Sequence, residues 1–255
     1  MLFSDKLLDS IKGVPCQINA GKYTVKLAEN ERELLQTQEL RARIFFKHLP
    51  REKRISAEKR DRFAHHLIVI HHAPEGDKVV GTLRLLNSDF LPQEEKFYSQ
   101  EYYHFDALLK SHKRSVELSR FCIEEPYRKG SILLLIWRSA LLYLEHMKVD
   151  LMFGISSFPG VDPTKHAPVL QFLYRYHLAD QGYMPSTIQG AFPIKALESE
   201  DVAKERDLPT LIRGYLKMGG KISDHYYVDP HYNTTFVFLY VELKTFNQYL
   251  QNKRH

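Results

Sequence analysis

The chain has 255 residues, 44% of them hydrophobic and 26% charged, a composition that excludes disordered and fibrous classes and can fill the core of one large domain. The longest strongly apolar run, Ile132 to Trp137, falls far short of the roughly 20 residues a bilayer-spanning helix needs, and with no secretory signal at the start the expected compartment is the cytoplasm. A formal net charge of +5 favours acidic partners, while Cys16 and Cys122, without paired spacing, suggest neither a disulfide framework nor a zinc site.

Leu2, Phe3, Leu7, Leu8 and Ile11 recur at helical spacing and predict a short amphipathic opening helix in an N-terminal segment, residues 1–21, of a kind that packs on its own domain or touches a membrane surface. Residues 22–255 then read as one domain. Tyr23 to Leu27 alternates like a strand, and Glu29 to Phe46 has helical periodicity. Lys47 to Arg62 is dense in charge and has little apolar pattern, which predicts a mobile loop, either merely solvated or one that closes over substrates or docks a partner. His66 to Ile70 and Val79 to Leu86 predict a hairpin turning around Pro74, Glu75 and Gly76. A short helix near Tyr103 to Leu109, a strand Val116 to Ile123, a helix Ser131 to Met147, a strand Leu151 to Ser156 and a helix Pro163 to Leu178 follow. Leu208 to Met218 adds a helix and Thr235 to Leu243 a last strand. The order of elements predicts a mixed α/β sheet covered by helices on both sides.

Polar residues on inward faces carry the functional information. On a helical wheel Arg41 falls between Leu34 and Phe45, in the middle of an apolar stripe, whereas Arg43 points the other way. Alternation puts Arg84 on one face with Val80, Thr82 and Leu86. In the strand after residue 115, Glu117 and Ser119 share a face with Phe121 and Ile123, and Arg120 points with Leu118 and Cys122. Buried guanidinium and carboxylate groups need partners. They serve either as a structural ion network or as the means to hold a substrate carboxylate and deprotonate an ammonium. His65, His66, His71 and His72 flank an apolar strand without the ligand spacing of a metal site.

Residues 40–45, LRARIF, then Asp61 with His66-Leu67, then VGTLRLL from Val80, then Phe97-Tyr98-Ser99 and ELSRFC from Glu117 resemble, in this order, the N-acyltransferases of ornithine-lipid synthesis. Leu135-Ile136-Trp137, SSFPGVDP from Ser156 and LPTLIRGYL from Leu208 extend the resemblance to roughly residues 22–243. The chain departs from the usual pattern at His65 and Ser119, which stand in place of Asp and Gly, and at Phe236, where Asp is common. That family resembles in turn the acyl-homoserine-lactone synthases.

The resemblance implies a GNAT-like α/β (α+β) fold with a mixed, mostly antiparallel central sheet flanked by helices and a C-terminal extension. It implies transfer of a 3-hydroxyacyl group from an acyl carrier protein thioester to the α-amine of ornithine or a similar amino acid. The alternatives are an acyl-homoserine-lactone synthase and, from another class, a non-catalytic carrier-binding or membrane-active protein. Under the first reading Glu117 is the expected general base, and Arg41, Phe45, Asp61, Arg84, Ser119 and Arg120 form the amino-acid site. Cys122, Ile123, Arg128, Lys129, Gly130 and Ser131 face the acyl donor, with main-chain amides of Val116 to Ile123 as oxyanion donors. The turn Tyr127 to Ser131 carries a single glycine, which suits the one phosphodiester of a carrier's 4'-phosphopantetheine better than a coenzyme A pyrophosphate. No cofactor of the enzyme's own, no metal and no nucleic acid are expected. The implied partners are an acidic acyl carrier protein, the amino acid, and a peripheral contact at the inner face of the cytoplasmic membrane.

Overall fold

Asn30, in extended backbone, accepts from the Glu33 amide and starts a helix that Glu31 and Glu33 favour electrostatically in its first turn. This local logic recurs along the chain in the computed structural model, which describes residues 5–54, 56–128, 131–199 and 203–243. In order the main elements are α1 (Asp5–Ile11), β1 (Ile18–Ala20), β2 (Tyr23–Leu27), α2 (Glu31–Phe45), β3 (His65–His71) and β4 (Lys78–Asn87). Next come β5 (Tyr103–His104), α3 (Asp106–Lys110), β6 (Ser115–Ile123), α4 (Ser131–His146), β7 (Leu151–Pro159) and α5 (Ala167–His177). The last are β8 (Ser186–Thr187), β9 (Phe192–Pro193), α6 (Thr210–Lys217), β10 (Lys221–Asp229) and β11 (Thr234–Glu242).

The chain forms two compact units, one from residues up to Glu95 together with Val116–Val149, the other from Lys96–Ser115 and residues from Asp150 onward. In the first unit β1, β2, β3, β4 and β6 pair in that order, every pair antiparallel. Leu34, Leu40, Ile68, Val79 and Cys122 form a buried apolar cluster with Leu7 of α1, which is how the opening helix is held: on its own unit, by a wholly buried leucine. Leu2 and Phe3 lie outside the described residues. At Gly81 a side-chain carbon would come within 3.1 Å of Val69 and 3.4 Å of Ile136, so the glycine lets α4 lie close on the sheet.

In the second unit β7, β11, β10 and β9 pair in that order, again antiparallel, and β5 pairs with β8. An isolated parallel bridge between Leu178 and Ile222 makes the architecture mixed. Its core is aromatic: Phe105, Phe153 and Phe238 lie against one another with ring centroids 4.6–5.8 Å apart. Phe236 is buried between Tyr102 and Tyr227.

Two readings from sequence change. The helix expected near Tyr103 to Leu109 is a strand pair at Tyr103–His104 followed by the short α3, because the Tyr103 ring and hydroxyl are drawn into the core, onto Phe238 and the His225 carbonyl. The loop expected over Lys47 to Arg62 holds two 3-10 turns, Arg51–Lys53 and Lys59–Phe63, and turns Ser56 and Asp61 into the interior. Charge hid the pattern there, since the buried positions are polar.

Candidate active site

The centre of the first unit is a buried ion network. Arg41, on the inward stripe of α2, and Arg84, on β4, are both wholly enclosed. Asp61 Oδ1 accepts from Arg41 Nη1 at 3.0 Å and from Arg84 Nη1 at 3.1 Å, and its Oδ2 accepts from Arg41 Nη2, Gln38 Nε2 and the Glu58 amide. Arg41 Nη2 also donates to the Ser56 carbonyl. Both terminal nitrogens of Arg41 are therefore engaged inside the protein, which makes it a residue that positions Asp61 and the 47–62 segment.

Glu58 extends the network outward. Its Oε2 accepts from Arg84 Nη1 at 3.0 Å and Arg120 Nη2 at 2.9 Å, its Oε1 from Arg120 Nε. Ser119 Oγ accepts from Arg84 Nε at 3.0 Å. Three guanidiniums thus share two carboxylates, and the accessible edge consists of Glu58, 19% exposed at its side chain, Arg120, 9% exposed, and the half-buried Ser119. Burial on its own would raise the carboxyl pKa values. The neighbouring guanidiniums win: Glu58 is held down to about 2 by Arg84 and Arg120, and Asp61 lies well below the usual carboxylate range beside Arg41. Both are carboxylates at neutral pH, ion-pair partners rather than proton acceptors.

A β-bulge makes this possible. Two steps along β4, from Thr82 to Arg84, match three along β6, from Cys122 to Ser119, and Arg120 has φ of 55°, in the left-handed region. Strict alternation puts Ser119 and Arg120 on opposite faces; with the bulge both reach the pair formed by Arg84 and Glu58. Glu117 is opposite Leu86 and wholly buried.

The other expected site residues separate from this network. Phe45 packs on the cluster that contains Cys122, and burial there pushes the Cys122 thiol up to about 12. Ile123 is buried opposite Gly81 at the end of β6. Arg128 is exposed, its Nε donating to the Ile123 carbonyl at 2.9 Å, and Ser131 opens α4. Lys129 and Gly130 lie outside the described residues. Glu58 is the site residue that sequence reasoning missed. The spacing Glu58 to Asp61, three residues apart at the start of a turn, is the signal that was available.

His65 and His66, the first two residues of β3, have structural surroundings. His66 Nε2 donates to the Asp61 carbonyl at 3.0 Å. Ser10 Oγ donates to the Leu7 carbonyl at 2.7 Å, so it accepts from His65 Nε2 at 2.8 Å, and His65 Nδ1 accepts from the Tyr143 hydroxyl at 2.7 Å. That chain of donors needs a neutral ring, and burial holds both His65 and His66 down to about 4.

Comparison with known proteins adds the following. The acetyltransferase (GNAT) domain family matches residues 40–138. An L-ornithine N(alpha)-acyltransferase of Rhodobacter capsulatus is 31% identical over 238 residues, covering 89% of this chain and 92% of that protein. One from Brucella abortus is 29% identical over 88% of this chain and 85% of its own length, and one from Agrobacterium fabrum 31% identical over 86% and 80%. Among solved structures, FeeM, an N-acyl amino acid synthase from uncultured soil microbes, is 11% identical with a TM-score of 0.48, covering 90% of this chain and 96% of that one.

Proposed function

This chain belongs to the L-ornithine N(alpha)-acyltransferase family and is an N-acyltransferase, and on that premise we propose that it moves a 3-hydroxyacyl group from an acyl carrier protein thioester to the α-amine of ornithine. The observation that carries the reading is similarity over nearly the whole of both chains, at 89% of this one and 92% of the Rhodobacter capsulatus relative. The network fits the task. The amino acid's carboxylate pairs with Arg120 at the accessible edge, and Arg84 stands behind it, kept in place by Asp61, Glu58 and Ser119. Arg41 holds Asp61 and has a positioning role.

Acyl transfer then needs three things: an amine free of its extra proton, a thioester carbonyl held close, and donors for the tetrahedral oxyanion. Glu117 takes the amine proton, directly or through water, as the amine nitrogen attacks the thioester carbon. Main-chain amides of β6 stabilise the oxyanion, the C–S bond breaks, and the carrier thiol leaves with a proton. The donor's phosphopantetheine phosphate is received by Arg128, Lys129, Gly130 and Ser131, where the α4 N-terminus adds a favourable dipole. The donor arm is the only prosthetic group the reaction uses, and holding both substrates together removes a bimolecular entropy cost.

The test is to incubate purified protein with 3-hydroxyacyl carrier protein, the matching acyl-coenzyme A, and a panel of amino acids plus S-adenosylmethionine. N-acyl-ornithine formed from the carrier donor is expected. Amide formation only from coenzyme A, only with other amines, or a lactone product contradicts the reading.

A further inference from the structure

The segment from Lys47 to Arg62 carries seven lysines and arginines against three acids, net +4 of the chain's formal +5. The structure sorts these charges by direction. Two of the three acids, Glu58 and Asp61, turn inward onto Arg41, Arg84 and Arg120, while Lys47, Arg51, Lys53, Lys59 and Arg62 stand exposed. Lys59 pairs with Glu95, but Lys47, Arg51, Lys53 and Arg62 form no ion pair among the described residues. With Glu58 and Asp61 turned inward, Glu52 is the one acid of the segment that stands exposed beside these five basic residues.

The face is also ordered from within. Arg54 Nε donates to the Leu49 carbonyl at 2.8 Å and its Nη2 to the Lys47 carbonyl at 3.0 Å, which closes the first half of the segment on itself. Ser56, through its carbonyl, and Asp61 bind it to Arg41.

Resting on the function proposed above, we propose that the exposed face of residues 47–62 is the docking surface for the acidic acyl carrier protein. Charge complementarity argues for an acidic partner. A membrane surface is disfavoured because interfacial binding draws on buried apolar area, and among the described residues the large hydrophobic side chains that stand most exposed, Leu35, Leu134, Val161, Tyr176 and Phe192, lie elsewhere in the chain. The backbone that bears the docking charges also bears Glu58 and Asp61, so a carrier bound there sits on the segment that positions Arg84 and Arg120.

The experiment replaces Lys47, Arg51, Lys53 and Arg62 by Glu and compares two donors of the same acyl group, the acyl carrier protein and the acyl-pantetheine thioester, which lacks the protein. A milder Arg51→Gln/Lys53→Gln variant guards against misfolding. kcat/KM with the carrier donor is expected to fall about tenfold or more, and its salt dependence to flatten, while kcat/KM with acyl-pantetheine stays within about twofold of wild type and the milder variant falls in between. Retention of carrier-protein efficiency, or an equal loss with both donors, overturns the docking assignment. So does loss of binding to anionic phosphatidylglycerol vesicles with carrier kinetics intact, which makes the face a membrane contact. A wild-type enzyme that ignores the carrier donor altogether sinks the donor reading itself, an outcome visible before any variant is made.

Discussion

Arg84 and Arg120 meet on one carboxylate, that of Glu58, whose Oε2 accepts from both guanidiniums at 3.0 and 2.9 Å. Arg84 comes from the sheet interior, Arg120 from a bulge, and Glu58 from a turn, so three separate stretches of sequence are fixed relative to one another by one side chain.

Glu58→Gln tests that relationship. The amide keeps the shape but loses the charge that two guanidiniums share, so kcat/KM for the amino acid is expected to fall about 10- to 100-fold, mostly through KM. Steady-state kinetics with the amino acid varied reads this out. Unchanged KM would leave Glu58 a surface pair of little consequence.

Asp61→Asn removes the partner of two enclosed guanidiniums. Loss of one member of a buried pair costs about 3–5 kcal/mol, so a large drop in denaturation midpoint is expected. A shift below about 1 kcal/mol contradicts the network as drawn.

The pH dependence of stability has a sign for each group. Glu58 and Asp61 have depressed folded pKa values, so their contribution is complete above the unfolded carboxyl range and is lost as pH falls below about 4. His65 and His66, held near 4 in the fold against 6.5 when free, take up protons on unfolding between those values. Stability therefore declines as pH falls from about 6.5 towards 4, before the carboxylates contribute. Denaturant unfolding at pH 7, 6 and 5 is expected to show this slope, and His65→Phe to reduce it by about one proton. An unchanged slope in that variant contradicts a neutral, buried His65.

Arg41 and Arg84 were legible in the sequence because helical and strand periods each placed a charge among apolar neighbours, and both side chains are indeed enclosed. Glu58 was not, because residues 47–62 bury polar side chains and so leave no apolar period to read. The joint reach of Ser119 and Arg120 was hidden for a different reason. A bulge breaks the two-residue period without any glycine to announce it, and Arg120 takes up the left-handed backbone itself. β10 escaped notice likewise, since its register shifts between Ile222 and Tyr226 and scrambles its alternation.

Glu117→Gln separates chemistry from binding. As the proton acceptor it is expected to lower kcat about 10²- to 10⁴-fold, with partial recovery at higher pH where the free amine is more abundant, and to leave KM little changed. Arg84→Lys is expected to do the reverse, raising KM for the amino acid more than it lowers kcat, because lysine lacks the planar fork that Ser119, Glu58 and Asp61 now hold. Normal kinetics with a large loss of thermal stability in both variants would make these residues scaffold.

The most direct test is mass spectrometry of the lipids made when the chain is expressed in a bacterial host that lacks aminolipids. A new species with the mass of ornithine joined by an amide to a 3-hydroxyacyl chain, whose fragmentation releases an ornithine-derived ion and places the acyl group on the α-nitrogen, is the expected result, and it should vanish in the Glu117→Gln strain. A host lipid profile with no amide-linked amino acid, despite soluble, folded protein, would contradict N-acylation of ornithine as the function of this chain.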